Sequence, residues 1–226
     1  MAKGILASTL VAIALTNAGV SPVKADSLIT HMDRNLFDAP VDGQPRAAQF
    51  GPSLPPKGYV DFCARGEAEC QYVSADSSPL KLNDESWKQI TQVNLYVNRA
   101  IRPAEDMEKY GQVNYWTYPI NSAMCHGYAL LKKRYLTQLG LPADKILITV
   151  VLTETGEGHA VLTIPTDQGD YILDNRRQEI LRWDQTGYIF LKRQSQTAAN
   201  QWVSLQKGAP KILLASHDDT HRAVTH

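Results

Sequence analysis

The order of apolar and polar positions predicts helices in the first part of the chain and strands in the second. Apolar residues recur at steps of three and four over 84–101, with Asp84 or Ser86 as the cap, and again over 125–139. After Gly140 the pattern becomes one of apolar runs separated by turn residues, at 145–152, 159–165, 170–174 and 187–194. Helices followed by antiparallel strands predict an α+β domain in which a helix packs on a sheet.

Residues 1–25 are typical of a secretory signal peptide, with Lys3, an apolar stretch and small residues before Asp26. The apolar stretch is shorter than the roughly 20 residues of a spanning helix, so we expect cleavage, no membrane span and a periplasmic or secreted protein. We predict a proline-rich irregular lead segment at 26–57, the domain at 58–208 and a frayed tail at 209–226.

The charge of the chain mainly argues against one class of partner. The chain has 23 Lys and Arg residues against 23 Asp and Glu residues, and no basic run stands out. A nucleic-acid partner is therefore not expected. We expect a monomer.

The three cysteines of the chain cannot all pair with one another, so one thiol is left over in an oxidising compartment. Cys63 and Cys70 are close in sequence, and a disulfide between them closes the shortest loop. The alternative for this pair is a redox function. The pairing leaves Cys125 free at the start of its helix, where backbone N–H groups and the helix dipole lower a thiol pKa. The alternative for Cys125 is a small buried apolar residue.

A cysteine nucleophile needs an imidazole and a group that orients it. His159 stands where a glycine-rich turn meets an apolar strand, and Asp174 ends the next strand. A hairpin between these strands would set the acid beside the base. The competing base is His126, which we expect to be poorly aimed because adjacent helical residues point roughly 100° apart.

Three stretches, CHGYALLKKRYLTQLGLP, KILITVVLTETGEGHAVLTI and DYILDN, together resemble the bacterial transglutaminase-like cysteine peptidases. These are exported relatives of the periplasmic protease that releases biofilm adhesins from the outer membrane. The likeness runs from Trp87 to Trp202. It implies a papain-like α+β core, a triad of Cys125, His159 and Asp174, and a protein or peptide substrate such as a surface adhesin.

In the adhesin-releasing members, acidic residues flank the cysteine and help bind calcium. Here the flanking residues are Met124 and His126, and neither side chain offers the oxygen ligands that a hard cation prefers. Upstream oxygens come from Glu105, Asp106 and Glu108. We expect these acids to form a solvated surface, and we predict no cofactor, with calcium as the alternative implied by the resemblance.

The resemblance leaves the reaction open in two ways. The altered residues beside Cys125 motivate a non-catalytic protein that binds a peptide on the same fold. Within enzymes, a thioester intermediate can be resolved by an amine instead of water, so acyl transfer or glutamine deamidation is the second alternative. Hydrolysis of peptide bonds in a cell-envelope or surface protein is the function we expect.

Overall fold

The structure, a computed structural model, describes residues 46–66 and 70–208. The predicted signal peptide, most of the predicted lead segment and the predicted tail lie outside these residues. Within the described ranges, no helix combines the length and the apolar character needed to cross a membrane.

The described residues form α-helices that include the two helices predicted from the sequence pattern. They are α1 at Lys57–Cys63, α2 at Asp84–Ala100, α3 at Asp106–Tyr110 and α4 at Cys125–Gln138. The cap of α2 is Asn83, not Asp84 or Ser86. The Asn83 side chain accepts from the Ser86 N–H at 2.8 Å, and the Ser86 hydroxyl accepts from the Asn83 N–H at 3.1 Å. Asn83 takes the capping position because Ser86 closes this reciprocal pair from the first turn.

The structure contains all four predicted strands, which lie in one sheet, and several shorter strands that the pattern does not predict. The strands are β1 at Pro52–Ser53, β2 at Arg102–Pro103, β3 at Ser122–Ala123, β4 at Leu147–Leu152, β5 at Gly158–Thr166, β6 at Gly169–Leu173, β7 at Leu181–Arg182, β8 at Ile189–Gln194 and β9 at Trp202–Ser204. Within the described residues, the sheet has seven strands in the order β1-β9-β8-β4-β5-β6-β7 with antiparallel pairing, and β2 and β3 form a separate parallel pair. The predicted α+β fold with an antiparallel sheet is confirmed.

The site depends on the middle of this sheet. In the β5–β6 hairpin, Thr166 pairs with Gly169 and Leu162 pairs with Leu173. Because β6 runs back towards the beginning of β5, the residue that follows β6 comes to the end of the sheet where His159 lies. Strand β4 pairs with β5 on one side and with β8 on the other, so β8 joins the sheet beside β4.

Helix α4 packs on β5 and against α2. The periodic pattern places Lys132 and Lys133 away from the apolar face, yet both are buried, with 1% and 0% of their surface exposed. Each ammonium group finds an acceptor inside: Lys132 Nζ donates to Asn94 Oδ1 at 2.7 Å, and Lys133 Nζ donates to the Ala143 carbonyl at 2.9 Å. These partners offset the cost of burying a charge, and α4 is covered on more sides than its sequence predicts.

Helix α1 ends at Cys63, which is bonded to Cys70 as predicted, and Cys125 is the free cysteine. The ring of Tyr59 in α1 makes edge contacts with Trp116 and Trp202, at centroid distances of 5.9 and 5.4 Å. Since Trp202 belongs to β9, this short helix connects that side of the sheet to the loop that carries Trp116.

Candidate active site

Cys125 is the first residue of α4, as the pattern predicts, and is partly exposed. Met124 occupies the cap position without a side-chain hydrogen bond to the helix, so the positive end of α4 lies beside the thiol without a capping side chain. Glycine at position 127 is required by close packing: a Cβ there would lie 2.6 Å from the Cβ of Ala123. The first turn of α4 therefore lies directly against β3, which fixes the backbone around the thiol.

His159 and Asp174 meet at the end of the sheet, as the hairpin predicts. Nε2 of His159 lies 2.8 Å from Oδ1 of Asp174, and both side chains are buried. With Nε2 bonded to the carboxylate, Nδ1 is the ring nitrogen left for the thiol, and Cys125 contributes to raising the pKa of His159. The structure thus brings the three residues of the predicted set together.

Asp174 is itself held from several directions. The Tyr188 hydroxyl donates to Oδ2 at 2.6 Å, and the Arg176 N–H donates to Oδ1 at 3.0 Å. The Asn98 amide donates to the Asp174 carbonyl at 2.8 Å, and the edge of the Tyr188 ring contacts His159 at a centroid distance of 5.9 Å. The carboxylate therefore has a fixed direction, which in turn fixes the plane of the imidazole. The sequence pattern gave no sign of Tyr188, which precedes a strand like many structural tyrosines.

A second imidazole lies against the thiol, and the expectation that His126 is poorly aimed is wrong. His126 interacts with Cys125 strongly enough to lower the pKa of the thiol. Its Nε2 lies 3.1 Å from Oδ2 of Asp106, and its ring stacks on Trp116 at 5.0 Å with an angle of 5°. The 100° argument treats each side chain as a rod along its Cα–Cβ bond. Here the stacking and the carboxylate turn the ring sideways, towards its neighbour.

Asp106 is buried, with 3% of its surface exposed, whereas Glu105 and Glu108 are exposed. The expected solvated surface is therefore found at the two glutamates and is wrong for Asp106. Its Oδ2 also accepts from the Tyr115 N–H at 2.8 Å, because the loop after α3 folds back over this acid. One acid among three in a polar loop carries no local signal of burial, so sequence reasoning missed it.

The charges of these groups stabilise one another. Burial disfavours the thiolate, but hydrogen bonds and charges from His126 and His159 outweigh it and lower the pKa of Cys125 to about 5. Burial also disfavours the charged His126 ring, but Asp106 and Cys125 raise its pKa to about 9. Asp174 and Cys125 likewise outweigh burial and raise the pKa of His159 to about 9. At neutral pH a thiolate therefore lies between two imidazolium rings.

The residues around the thiol do not fit a calcium ion. Within residues 46–66 and 70–208, no group of three or more His, Cys, Asp or Glu side chains is arranged to hold a metal. Asp106 accepts from His126 and from the Tyr115 N–H, so this carboxylate already has donors. Met124 and His126 offer sulfur and nitrogen, which a hard cation does not prefer.

Comparison with known proteins agrees with the resemblance in the sequence. The sequence profile of the family described as bacterial transglutaminase-like cysteine proteinase matches residues 49–209. Calcium-bound LapG of Legionella pneumophila is 22% identical, with a TM-score of 0.46, over 54% of this chain and 71% of that one. A second structure of the same LapG is 22% identical, with a TM-score of 0.46, over 56% of this chain and 71% of that one. The EGTA-treated form is 19% identical, with a TM-score of 0.43, over 62% of this chain and 82% of that one. None of the curated protein sequences matches this chain significantly.

Proposed function

Since the chain belongs to the family of bacterial transglutaminase-like cysteine proteinases, we propose that it is an exported peptidase that cleaves peptide bonds in a cell-envelope or surface protein. The observation that carries the proposal is the contact of 2.8 Å between Nε2 of His159 and Oδ1 of Asp174, at the end of the sheet where Cys125 acts on the same ring and raises its pKa. The Cys63–Cys70 disulfide supports an oxidising compartment outside the cytoplasm.

In the first half of the reaction, the Cys125 thiolate attacks the carbonyl carbon of the scissile peptide bond. Negative charge develops on the carbonyl oxygen, and we assign its stabilisation to backbone N–H groups at the start of α4. The C–N bond then breaks, and His159 gives its proton to the departing amine. The product is a thioester on Cys125 and a neutral His159, with Asp174 holding the ring in place.

In the second half, His159 takes a proton from a water molecule, which attacks the thioester carbonyl. The C–S bond breaks, the acid product leaves, and Cys125 returns as a thiolate beside a protonated His159. An amine in place of water would give acyl transfer through the same thioester. We assign hydrolysis because the family is one of proteinases.

The test is hydrolysis of fluorescently labelled casein and of isolated bacterial outer-envelope protein by the mature chain and by Cys125→Ala. We expect Cys125→Ala to keep its thermal unfolding profile and to lose hydrolysis, while Asp61→Asn, a change on the exposed side of α1, keeps it. Mass spectrometry of the new amino termini identifies the cleaved bond.

Undiminished hydrolysis by Cys125→Ala would overturn the proposal. Absence of hydrolysis together with peptide binding that survives removal of the thiol would establish the binding protein instead. Incorporation of a labelled primary amine into the substrate would assign the reaction to acyl transfer.

A further inference from the structure

The triad leaves one buried ionisable pair beside the nucleophile without a function. His126 and Asp106 are 4% and 3% exposed, and they are 3.1 Å apart. A buried charge pair carries a desolvation cost that its mutual attraction only partly repays, so the pair is a poor device for stability alone. Because the pair lies beside Cys125, its charge can act on the thiol.

The two rings that flank the thiol differ in their surroundings. His159 lies at the start of β5, next to the exposed Gly158 and Glu157. The Trp116 ring covers one face of His126, and Asp106 takes its Nε2. We therefore assign the exchange of a proton with the departing amine to His159 and a fixed charge to His126.

The Trp116 ring that stacks on His126 is held in place by close packing against the backbone as well as by side chains. A Cβ at position 58 would lie 2.2 Å from Cδ1 of Trp116, so only glycine in α1 leaves room for the indole. Arg65 donates to the Trp116 carbonyl, which anchors the same loop from outside. The stacked ring is therefore held by a fixed surface.

We propose that His126 is a further catalytic residue, a fixed imidazolium that keeps Cys125 ionised before attack and favours its release as a thiolate from the thioester, with Asp106 and Trp116 as its positioning residues. The inference rests on the proposed function. No bond forms or breaks at His126, and its proton stays on the ring while the proton of His159 moves. The thiolate is thus stabilised by a second positive charge before it attacks, and it leaves more readily from the thioester because its conjugate acid is stronger.

The charged or titratable groups that act on this centre come from α3, α4, β5 and the residue that follows β6. The thiol faces His126 in α4 and His159 in β5, and His126 faces Asp106 in α3. Asp174 stands behind His159. Both rings favour the thiolate, so removal of either one raises the thiol pKa, and removal of both is needed to return it to the reference value.

The experiment is the pH dependence of Cys125 alkylation by iodoacetamide in the wild type, His126→Gln, His159→Gln and the double variant. Cys125 is the only cysteine outside the disulfide, so mass spectrometry reads one site. We expect a midpoint well below the reference pKa of about 8.5 in the wild type, an upward shift of about one unit or more in each single variant, and a midpoint near 8.5 in the double variant. Asp106→Asn provides a second route, because asparagine can still accept from the Tyr115 N–H while the charge is lost.

A wild-type midpoint in both His126→Gln and Asp106→Asn would overturn the inference. So would a return to 8.5 in His159→Gln alone. For casein hydrolysis, we expect His126→Gln to lose kcat/KM mainly at acidic pH and to recover it as the pH rises through the new thiol pKa, which a loss of folding would not produce. If the midpoints shift as expected and no substrate is cleaved, the peptidase proposal fails and the role of His126 in ionising the thiol stands.

Discussion

Replacing Asp174 with asparagine tests how the carboxylate acts on His159. Asparagine keeps the shape, and its oxygen can take the place of Oδ1, which accepts from His159 and the Arg176 N–H, while its NH2 group faces the Tyr188 hydroxyl, but the negative charge is lost. A hydrogen bond to a charged group contributes about 1.5–3 kcal/mol. This corresponds to about 1–2 pKa units at about 1.4 kcal/mol per unit. The carboxylate favours the charged ring, so its removal lowers the pKa of His159.

From a wild-type value of about 9, we expect His159 in Asp174→Asn to titrate at about 7–8. At pH 8 the protonated fraction then falls from about nine tenths to between about one tenth and one half, and the alkaline limb of hydrolysis moves to lower pH. The chain has six histidines, so their Cε1–H signals can be followed by NMR and assigned with His126→Gln and His159→Gln.

The matched control is Asp61→Asn, which removes an exposed carboxylate paired with Lys57 and should leave every histidine titration unchanged. A His159 signal that still titrates near 9 in Asp174→Asn would refute the reasoning. It would mean that the thiolate of Cys125 alone maintains the charge on the ring.

Two further changes test the hydrogen bond from Tyr188 to Asp174 and the disulfide at the end of α1. Tyr188→Phe removes the hydroxyl that donates to Asp174; the resulting gap in hydrogen bonding should lower the free energy of unfolding by about 1–3 kcal/mol in urea, with a smaller loss of hydrolysis than in Asp174→Asn. Wild-type stability would contradict this account. Replacing Cys63 and Cys70 with serine opens a short loop, with a sequence separation of 7, and should cost about 2.5 kcal/mol of unfolding free energy. An unchanged urea midpoint would contradict that value.

The part of the site that could be predicted follows from local geometry. Alternating apolar runs joined by a short turn specify a hairpin, and a hairpin fixes which residues meet at its open end. His159 and Asp174 are such residues. The start of a periodic apolar pattern likewise places Cys125 in the first turn of α4.

The part that could not be predicted depends on contacts between distant segments. Asp106 reaches His126 because the loop after α3 carries Trp116 into the space above Gly58, a backbone contact that no local pattern encodes. The burial of Lys132 depends in the same way on an acceptor, Asn94, that belongs to another helix. Charge alone predicts a solvated side chain, and only the fold supplies the partner.

The pairing of Pro52 with Val203 joins the beginning and the end of the described chain. Strands β4, β5 and β6 follow one another, and their contacts are short in sequence, which favours rapid pairing. Strand β1 pairs with β9, and Trp202 of β9 contacts Tyr59 of α1, so these contacts need the last strand of the sheet. A chain truncated before Trp202 would retain Cys125, His159 and Asp174 but would lose one of the contacts that hold α1 against the loop of Trp116.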